Sequence, residues 1–376
     1  MCSQEALVSR EWPKVEYKEE GMRDGIQIED ANISVDDKVR LLEALSDTGL
    51  KHIVVGSFVR PEYTPQMDHI EEILERFEPR PGVKYTALLV NDKAVERAQR
   101  FVPPLTIEER EPMLAAHLCD VFPRRNYNRS QQQEIDAWPH IVARAKERGV
   151  NAGGIGVHAA WGSNFTGEHT LAETINILER EHALWDEADI PVISVYLGDP
   201  MSWNTPYRVE EYLTAVKERW PEVHQFHVHL HNARGMSIAS AYATLRTLEP
   251  EDTVFLEGSF GGIGGCPYCG NGRATGMAPT EDLMHMLEAM GYDTGVDIDK
   301  LVDCVWMLEE VLGRQTMGHV SKAGPRPQTP DRWYDPNMPF VETFPEARHF
   351  GLGPEVYEGQ RRPWKEPIRG PQRPDA

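Results

Sequence analysis

The sequence predicts an α/β protein built as a TIM (β/α)₈ barrel, followed by a C-terminal helical segment and an extended tail rich in proline and aromatics. Three observations predict it. Short β-rich runs alternate with longer amphipathic stretches over about 270 residues. The β-rich runs number eight, the count a closed barrel of this kind requires. Side chains able to do chemistry cluster just after the ends of the first, seventh and eighth runs, where barrels keep their active sites. A doubly wound open sheet is the rival, separated from the barrel by strand count alone.

The elements follow in order. Residues 15–17 form the first expected strand, which runs into the turn Gly21-Met-Arg-Asp-Gly25. Ser34 then supplies a helix N-cap, residues 35–49 carry an apolar stripe, and Gly49 stops it. Further strands are expected at 52–55, 84–89, 115–118, 154–158, 192–196, 224–229 and 253–256, each rich in β-branched or aromatic residues. Helical periodicity falls between and after them, at 67–77, 131–149, 171–189, 208–219, 237–248 and 281–291, the last opened by Thr280-Glu-Asp. One or two helices are expected over 297–312. The domain reading is therefore a barrel over 1–292, a helical extension over 293–323 and a partly irregular arm over 324–376. The aromatics of that arm (Trp333, Tyr334, Phe340, Phe344, Phe350, Tyr357, Trp364) need apolar surface, which suggests a homodimer or higher homo-oligomer.

The chain has 376 residues, 40% of them hydrophobic without counting its 30 glycines, so a sizeable core is available. Lys+Arg is 39 and Asp+Glu is 60, giving a net charge of −21. Such a surface repels nucleic acid and anionic lipid. The start lacks a basic, then apolar, leader, and no run nears the ~18 apolar residues of a membrane span. Five scattered cysteines make no disulfide framework. The expectation is a cytoplasmic protein with reduced thiols.

Phe226-His-Val-His-Leu-His-Asn-Ala-Arg-Gly235 is the strongest local signal. His227, His229 and His231 alternate, so in a strand they share one face, while Phe226, Val228 and Leu230 share the other. Paired imidazoles at a strand end suit a divalent metal. His227 lies deeper and is the weakest of the three. The turn after the first strand offers Asp24 as an oxygen ligand and Arg23 to face developing negative charge, although an Arg-Asp-Gly turn alone is more often only a turn. The segment from Glu257 to Cys269 reads as a glycine-rich lid carrying the thiol of Cys266. Cys266-x-x-Cys269 also admits a zinc knuckle or a redox pair, but the chain lacks the second Cys/His pair and the thioredoxin-like context those require.

Together these segments resemble the 3-hydroxy-3-methylglutaryl-CoA lyase family, within a wider group of metal-dependent Claisen and aldol barrels. The resemblance rests on Arg23-Asp-Gly-Ile-Gln27, Ser57-Phe-Val, Pro65-Gln-Met, Leu197-Gly-Asp199, His229-Leu-His-Asn-Ala-Arg-Gly235, Gly261-Gly-Ile-Gly-Gly-Cys-Pro-Tyr268 and Thr280-Glu-Asp-Leu. It implies a carbon–carbon lyase acting on a 3-hydroxy acid or 3-hydroxyacyl-CoA. It implies Asp24, His229 and His231 as metal ligands, with Mg²⁺ or Mn²⁺ favoured over Zn²⁺. It makes Arg23 the cation beside the enolate, Cys266 the loop acid/base, and Asp24 and His229 catalytic as well. Gln27 and Asp199 fall near the substrate, although Pro200 stands where the family usually has threonine. Two departures mark the site. A family glutamate near the end of the second strand aligns with Val54. The family's asparagine ligand aligns with Met277, leaving Asn271 as the alternative fourth ligand. Gly318-His319-Val-Ser-Lys-Ala-Gly324 is similar to the catalytic C-terminal segment of the related synthases, which keeps an acetyl-CoA-dependent condensing enzyme or a 2-oxo acid aldolase as the alternative and makes His319 a candidate substrate contact, while Val54 and Met277 motivate a third reading, a non-catalytic metal- or metabolite-binding barrel. For the CoA moiety, Arg124, Arg125 and Lys322 are candidate cations.

Overall fold

In the computed structural model, residues 10–108, 111–270, 276–338 and 364–369 are described, and eight parallel strands form one sheet. They are β1 (Lys14–Glu19), β2 (His52–Ser57), β3 (Lys84–Leu88), β4 (Met113–His117), β5 (Gly153–His158), β6 (Val192–Asp199), β7 (Gln225–Leu230) and β8 (Thr253–Gly258). The strand order runs β3, β2, β1, β8, β7, β6, β5, β4. Pairing of β1 with β8 joins the first strand to the last, as a TIM barrel demands and the doubly wound rival does not. Beside β3, Thr106 N–H donates to the Tyr85 carbonyl at 2.8 Å.

Around the sheet stand α1 (Val35–Ser46), α2 (Ile70–Arg76), α3 (Asp92–Ala98), α4 (Val121–Tyr127), α5 (Gln131–Glu147), α6 (Leu171–Asp186), α7 (Pro206–Arg219), α8 (Ser237–Thr247) and α9 (Thr280–Ala289). Beyond the barrel lie α10 (Ile298–Leu312) and the single turn α11 (Val320–Ala323). The expected helix starts have local causes. Ser34 accepts the Asp37 N–H at 3.0 Å. Ser130 and Thr170 each close a reciprocal capping box with the residue three positions on. The sequence reading did not anticipate α3 and α4, which span only seven residues each, with Pro123 inside α4.

The core lies between the outer faces of the strands and the helices. Val195, Leu197, Phe226, Val228 and Val254 point into it with Leu213, Trp185 and Leu245. Each such side chain contributes about 1.5–3 kcal/mol when fully buried. Because that layer holds the fold together, the barrel interior is free to carry polar groups. Pairing puts Lys18 opposite Glu257, Gly198 opposite His229, His158 opposite Gly198, and His117 opposite His158. Paired residues share a sheet face, so these groups form one inward rung near the carboxyl ends of the strands.

In the arm, Arg332 pairs with Asp299 at 2.6 Å, and Asn337 exchanges two hydrogen bonds with the backbone of Ile368. Phe340, Phe344, Phe350 and Tyr357 lie outside the described residues, while Trp333 and Tyr334 lie on the described part.

Candidate metal centre

Strand β7 alternates as the sequence predicts. Phe226, Val228 and Leu230 are buried in the core, and the histidines take the other face. His227 lies a rung deeper, with its ring flat on Phe255 at 4.1 Å between centroids. His229 and the following His231 bring their Nε2 atoms to 3.0 Å from each other. Asp24 Oδ2 stands 4.0 Å from the first and 3.9 Å from the second. One donor atom from each of the three residues lies within 4.8 Å of the others.

The surroundings set the state of each donor. Glu257 Oε2 lies 2.6 Å from His229 Nδ1. A carboxylate accepts there, so Nδ1 carries the proton and the neutral ring presents its Nε2 lone pair toward His231 and Asp24. Burial pulls the His229 imidazole down, but the hydrogen bond and charge of Glu257 outweigh it and raise the ring above its ordinary value. Burial pushes the Asp24 carboxyl up, yet Arg23 and both imidazoles hold it below its ordinary range. Asp24 sits in a turn closed by the Gly25 N–H on the Glu20 carbonyl at 3.1 Å. His231 is held through its backbone carbonyl, which accepts from Ser202 Oγ at 3.1 Å and Asn204 Nδ2 at 2.9 Å.

This donor set fits a divalent metal. One carboxylate and two imidazoles converge, and the 3.0 Å between the two Nε2 atoms matches the edge of an octahedron with bonds of about 2.1 Å. The brace on Nδ1 is the usual support of a metal-binding histidine.

A chain of alternating charges runs behind the centre. Arg23 Nε donates to Glu20 Oε2 at 2.6 Å, Glu20 Oε1 meets Lys18 Nζ at 3.1 Å, and Lys18 also pairs with Glu257, which in turn holds His229. The sequence reading missed Lys18, Glu20 and Glu257 as parts of the site. The signal was present: Lys14-Val-Glu-Tyr-Lys18 alternates charge with apolar residues, and the charged face, exposed at Lys14 and Glu16, becomes covered by Lys18. Val54 is buried. Glu19 pairs with Ile53, so Glu20 follows it at the level of Val54, and a carboxylate reaches Arg23 from β1.

The other predicted residues divide. Gln27 Nε2 donates to Asp24 Oδ1 and to the Gly265 carbonyl at 3.3 Å, tying the ligand to the glycine-rich loop. Cys266 is buried in that loop beside Cys269, whose thiol donates to the Pro200 carbonyl at 3.1 Å. Asp199 is fully buried and accepts from the backbone of Trp203 and from the backbone and side chain of Asn204, at 2.5–2.8 Å. It shapes the loop that holds the His231 carbonyl. His319 stands apart, its ring 89% exposed and its Nδ1 on Asp282 at 3.1 Å. Asp282 also accepts the backbone N–H of His319 and Val320, so this motif caps α11. Met277 is fully buried and bridges His231 through the backbone, while Asn271 lies outside the described residues. Arg124 is engaged by Asp120, Arg125 by the Tyr268 carbonyl, and Lys322 by Glu309.

Comparison with known proteins agrees with this fold. Residues 14–307 match the model of the HMGL-like family. The chain is 31% identical over 313 residues to the 3-hydroxy-3-isohexenylglutaryl-CoA/hydroxymethylglutaryl-CoA lyase of Pseudomonas aeruginosa, covering 82% of this chain and 97% of the relative. It is 29% identical to the mitochondrial hydroxymethylglutaryl-CoA lyase of Gallus gallus, covering 83% and 98%. Among solved structures, an HMG-CoA lyase from Acinetobacter baumannii, in complex with coenzyme A and 3-methylmalate, superposes with a TM-score of 0.65 at 26% identity, covering 86% of this chain and 98% of that one.

Proposed function

The chain belongs to the HMGL-like family and is a carbon–carbon lyase, and from that premise we propose that it cleaves a 3-hydroxyacyl-CoA by a retro-aldol (Claisen-type) step that depends on a divalent metal. The observation that carries this reading is the convergence of Asp24, His229 and His231 beside Arg23 and the Cys266 loop. Mg²⁺ or Mn²⁺ held by those three residues would lower the pKa of the substrate's 3-hydroxyl.

The chain's own residues do the rest. The hydroxyl proton passes to the Asp24 carboxylate, while Glu257 keeps the His229 imidazole in the tautomer that presents Nε2 beside Asp24. The bond between C2 and C3 breaks, its electron pair staying on the thioester fragment as an enolate while C3 becomes a ketone. Arg23, fixed by Glu20, faces the developing charge. Cys266 gives its proton to the enolate carbon, and the loop excludes water. Asn271 is proposed as a fourth ligand. Cleavage is favoured over condensation because the relatives named above are lyases and the His319 ring is turned to solvent, bound to Asp282 at the start of α11. Among the described residues no helix is long and apolar enough to cross a membrane. We place the enzyme in the cytoplasm as a homodimer or higher homo-oligomer.

The test incubates Mn²⁺-loaded protein with 3-hydroxy-3-methylglutaryl-CoA and related 3-hydroxyacyl-CoAs and looks for a keto acid and the shortened thioester. Asp24→Ala and His231→Ala are expected to lose both bound Mn²⁺ and turnover. Full activity in chelator-treated protein would sink the reading.

A further inference from the structure

We propose that the inner wall formed by the ends of β4, β5 and β6 is a subsite for an uncharged, hydroxyl-bearing branch of the substrate, with His117 as hydrogen-bond acceptor and Tyr196 as donor. This rests on the lyase reading and deepens it.

His117, His158, Gly198 and His229 are register partners on successive strands, so the wall continues the rung that carries a metal ligand. The Nδ1 atom of His117 lies 2.9 and 3.1 Å from the two oxygens of Glu134. The carboxylate accepts, so the proton sits on Nδ1 and Nε2 keeps its lone pair. That Nε2 is buried, on a ring 3% exposed, and has no hydrogen-bond partner among the described residues. An unmet buried acceptor costs about 1–3 kcal/mol, which a ligand's donor recovers.

The ring of His117 stacks on His158 at 4.3 Å, and His158 packs on Tyr196 at 4.7 Å. Gly198 makes room for that phenol. A Cβ at Gly198 would lie 2.7 Å from the Tyr196 oxygen, so the hydroxyl of Tyr196 reaches up to the rung between His158 and His229. Burial holds the Tyr196 phenol protonated and both imidazoles neutral, His117 down at about 3. The wall therefore offers hydrogen-bonding groups of both kinds, among them the His117 acceptor and the Tyr196 donor, together with ring faces, and none of these groups carries a formal charge. The carboxylate of Glu134 behind it is taken by His117, and the neighbouring guanidinium groups of Arg124 and Arg125 are engaged elsewhere.

A 3-hydroxyacyl diacid thioester has three arms on its carbinol carbon. The thioester arm becomes the enolate facing Arg23 and leads out to its CoA. A carboxylate arm against the neutral wall would be buried without a counter-ion, at a cost of several kcal/mol. The third arm, the branch, is the one the wall suits. A hydroxyl on that branch meets this wall as a donor to His117 Nε2 or as an acceptor from Tyr196, the two groups standing on either side of His158.

The test compares two CoA thioesters that differ only in the branch, methyl against hydroxymethyl, with the Mn²⁺-loaded enzyme. The hydroxymethyl compound is expected to be favoured about ten-fold in kcat/KM, and the preference is expected to vanish in Tyr196→Phe and in His117→Leu. A second measurement needs no turnover: calorimetric binding of 3-hydroxy-3-methylpentanedioate and 3-hydroxy-3-(hydroxymethyl)pentanedioate to the same Mn²⁺-loaded protein, with the second expected about ten-fold tighter. Cleavage of both thioesters at equal rates overturns the subsite and leaves the lyase reading standing. Cleavage of neither, with the binding preference intact, sinks the lyase reading and upholds the subsite. Equal binding of the two diacids overturns the subsite whether or not either thioester is cleaved.

Discussion

Replacing Glu257 by glutamine tests the centre without touching a donor atom. In the native protein the carboxylate takes the proton of His229 Nδ1 at 2.6 Å, a charge-assisted bond. Such a bond contributes about 1.5–3 kcal/mol and a neutral one about 1 kcal/mol. If the glutamine presents its oxygen, the loss is the difference, roughly 1–2 kcal/mol. If it presents its amide, the Nδ1 proton is displaced to Nε2, and the lone pair facing Asp24 and His231 disappears. Both outcomes weaken metal binding, by about 10- to 100-fold, the range for supports of this kind. Lys18 keeps Glu20 at 3.1 Å, so the substitution leaves no lone buried cation. The assay is a Mn²⁺ titration of Glu257→Gln against wild type, followed by the electron paramagnetic resonance of free Mn²⁺. Glu20→Gln is the control: it slackens Arg23 and not His229, so turnover falls while Mn²⁺ affinity holds. Native circular dichroism with Mn²⁺ affinity within two-fold of wild type in Glu257→Gln would refute the brace.

Three further outcomes are expected. Gly198→Ala pushes the Tyr196 phenol off the rung, and the crowding costs about 1–3 kcal/mol of stability, read from chemical denaturation. Cys266→Ala lowers turnover by about 10²- to 10⁴-fold with Mn²⁺ affinity unchanged, which separates a proton donor from a ligand. Thermal stability falls between about pH 4.5 and pH 7, partly through Glu19. Burial raises its carboxyl to about 7 from 4.5, so the folded state holds a proton that the unfolded chain releases near 4.5. That contribution is complete below the unfolded value, is lost as pH rises through 7, and is worth about 3 kcal/mol. Melting curves of Glu19→Gln should slope less over this range, and an unchanged slope would exclude Glu19 as the source.

The barrel was legible because its strands carry strong periodic signals. All eight expected strands appear, most of them extended by one to three residues at an end, and β6 continues through Leu197-Gly-Asp199. The expected helices stop short where glycine follows, as at Gly49 and Gly149, which take positive φ. Local pattern also yielded the histidine pair. Asp24 became visible through resemblance, since its turn carries no periodicity. Long-range pairing was not legible. Only the register of β1 against β8 brings Lys18 to Glu257, residues 239 positions apart in the chain. Likewise the resemblance puts Asp199 near the substrate, and only the loop wrapped over it shows that its oxygens are already occupied.

The alternating chain from Arg23 through Glu20, Lys18 and Glu257 to His229 has a consequence for how this interior can change. Each charge is balanced by the next, and removing one leaves its neighbour with one partner fewer in a largely covered place, so the net charge of the interior shifts by a full unit. Neutral routes therefore run in pairs: Lys18 can leave only with Glu20 or Glu257, and a new acid on β2 is tolerated only as Glu20 is given up. The barrel interior is constrained by a counting rule on charge, and two-residue exchanges across β1, β2 and β8 are its smallest permitted moves.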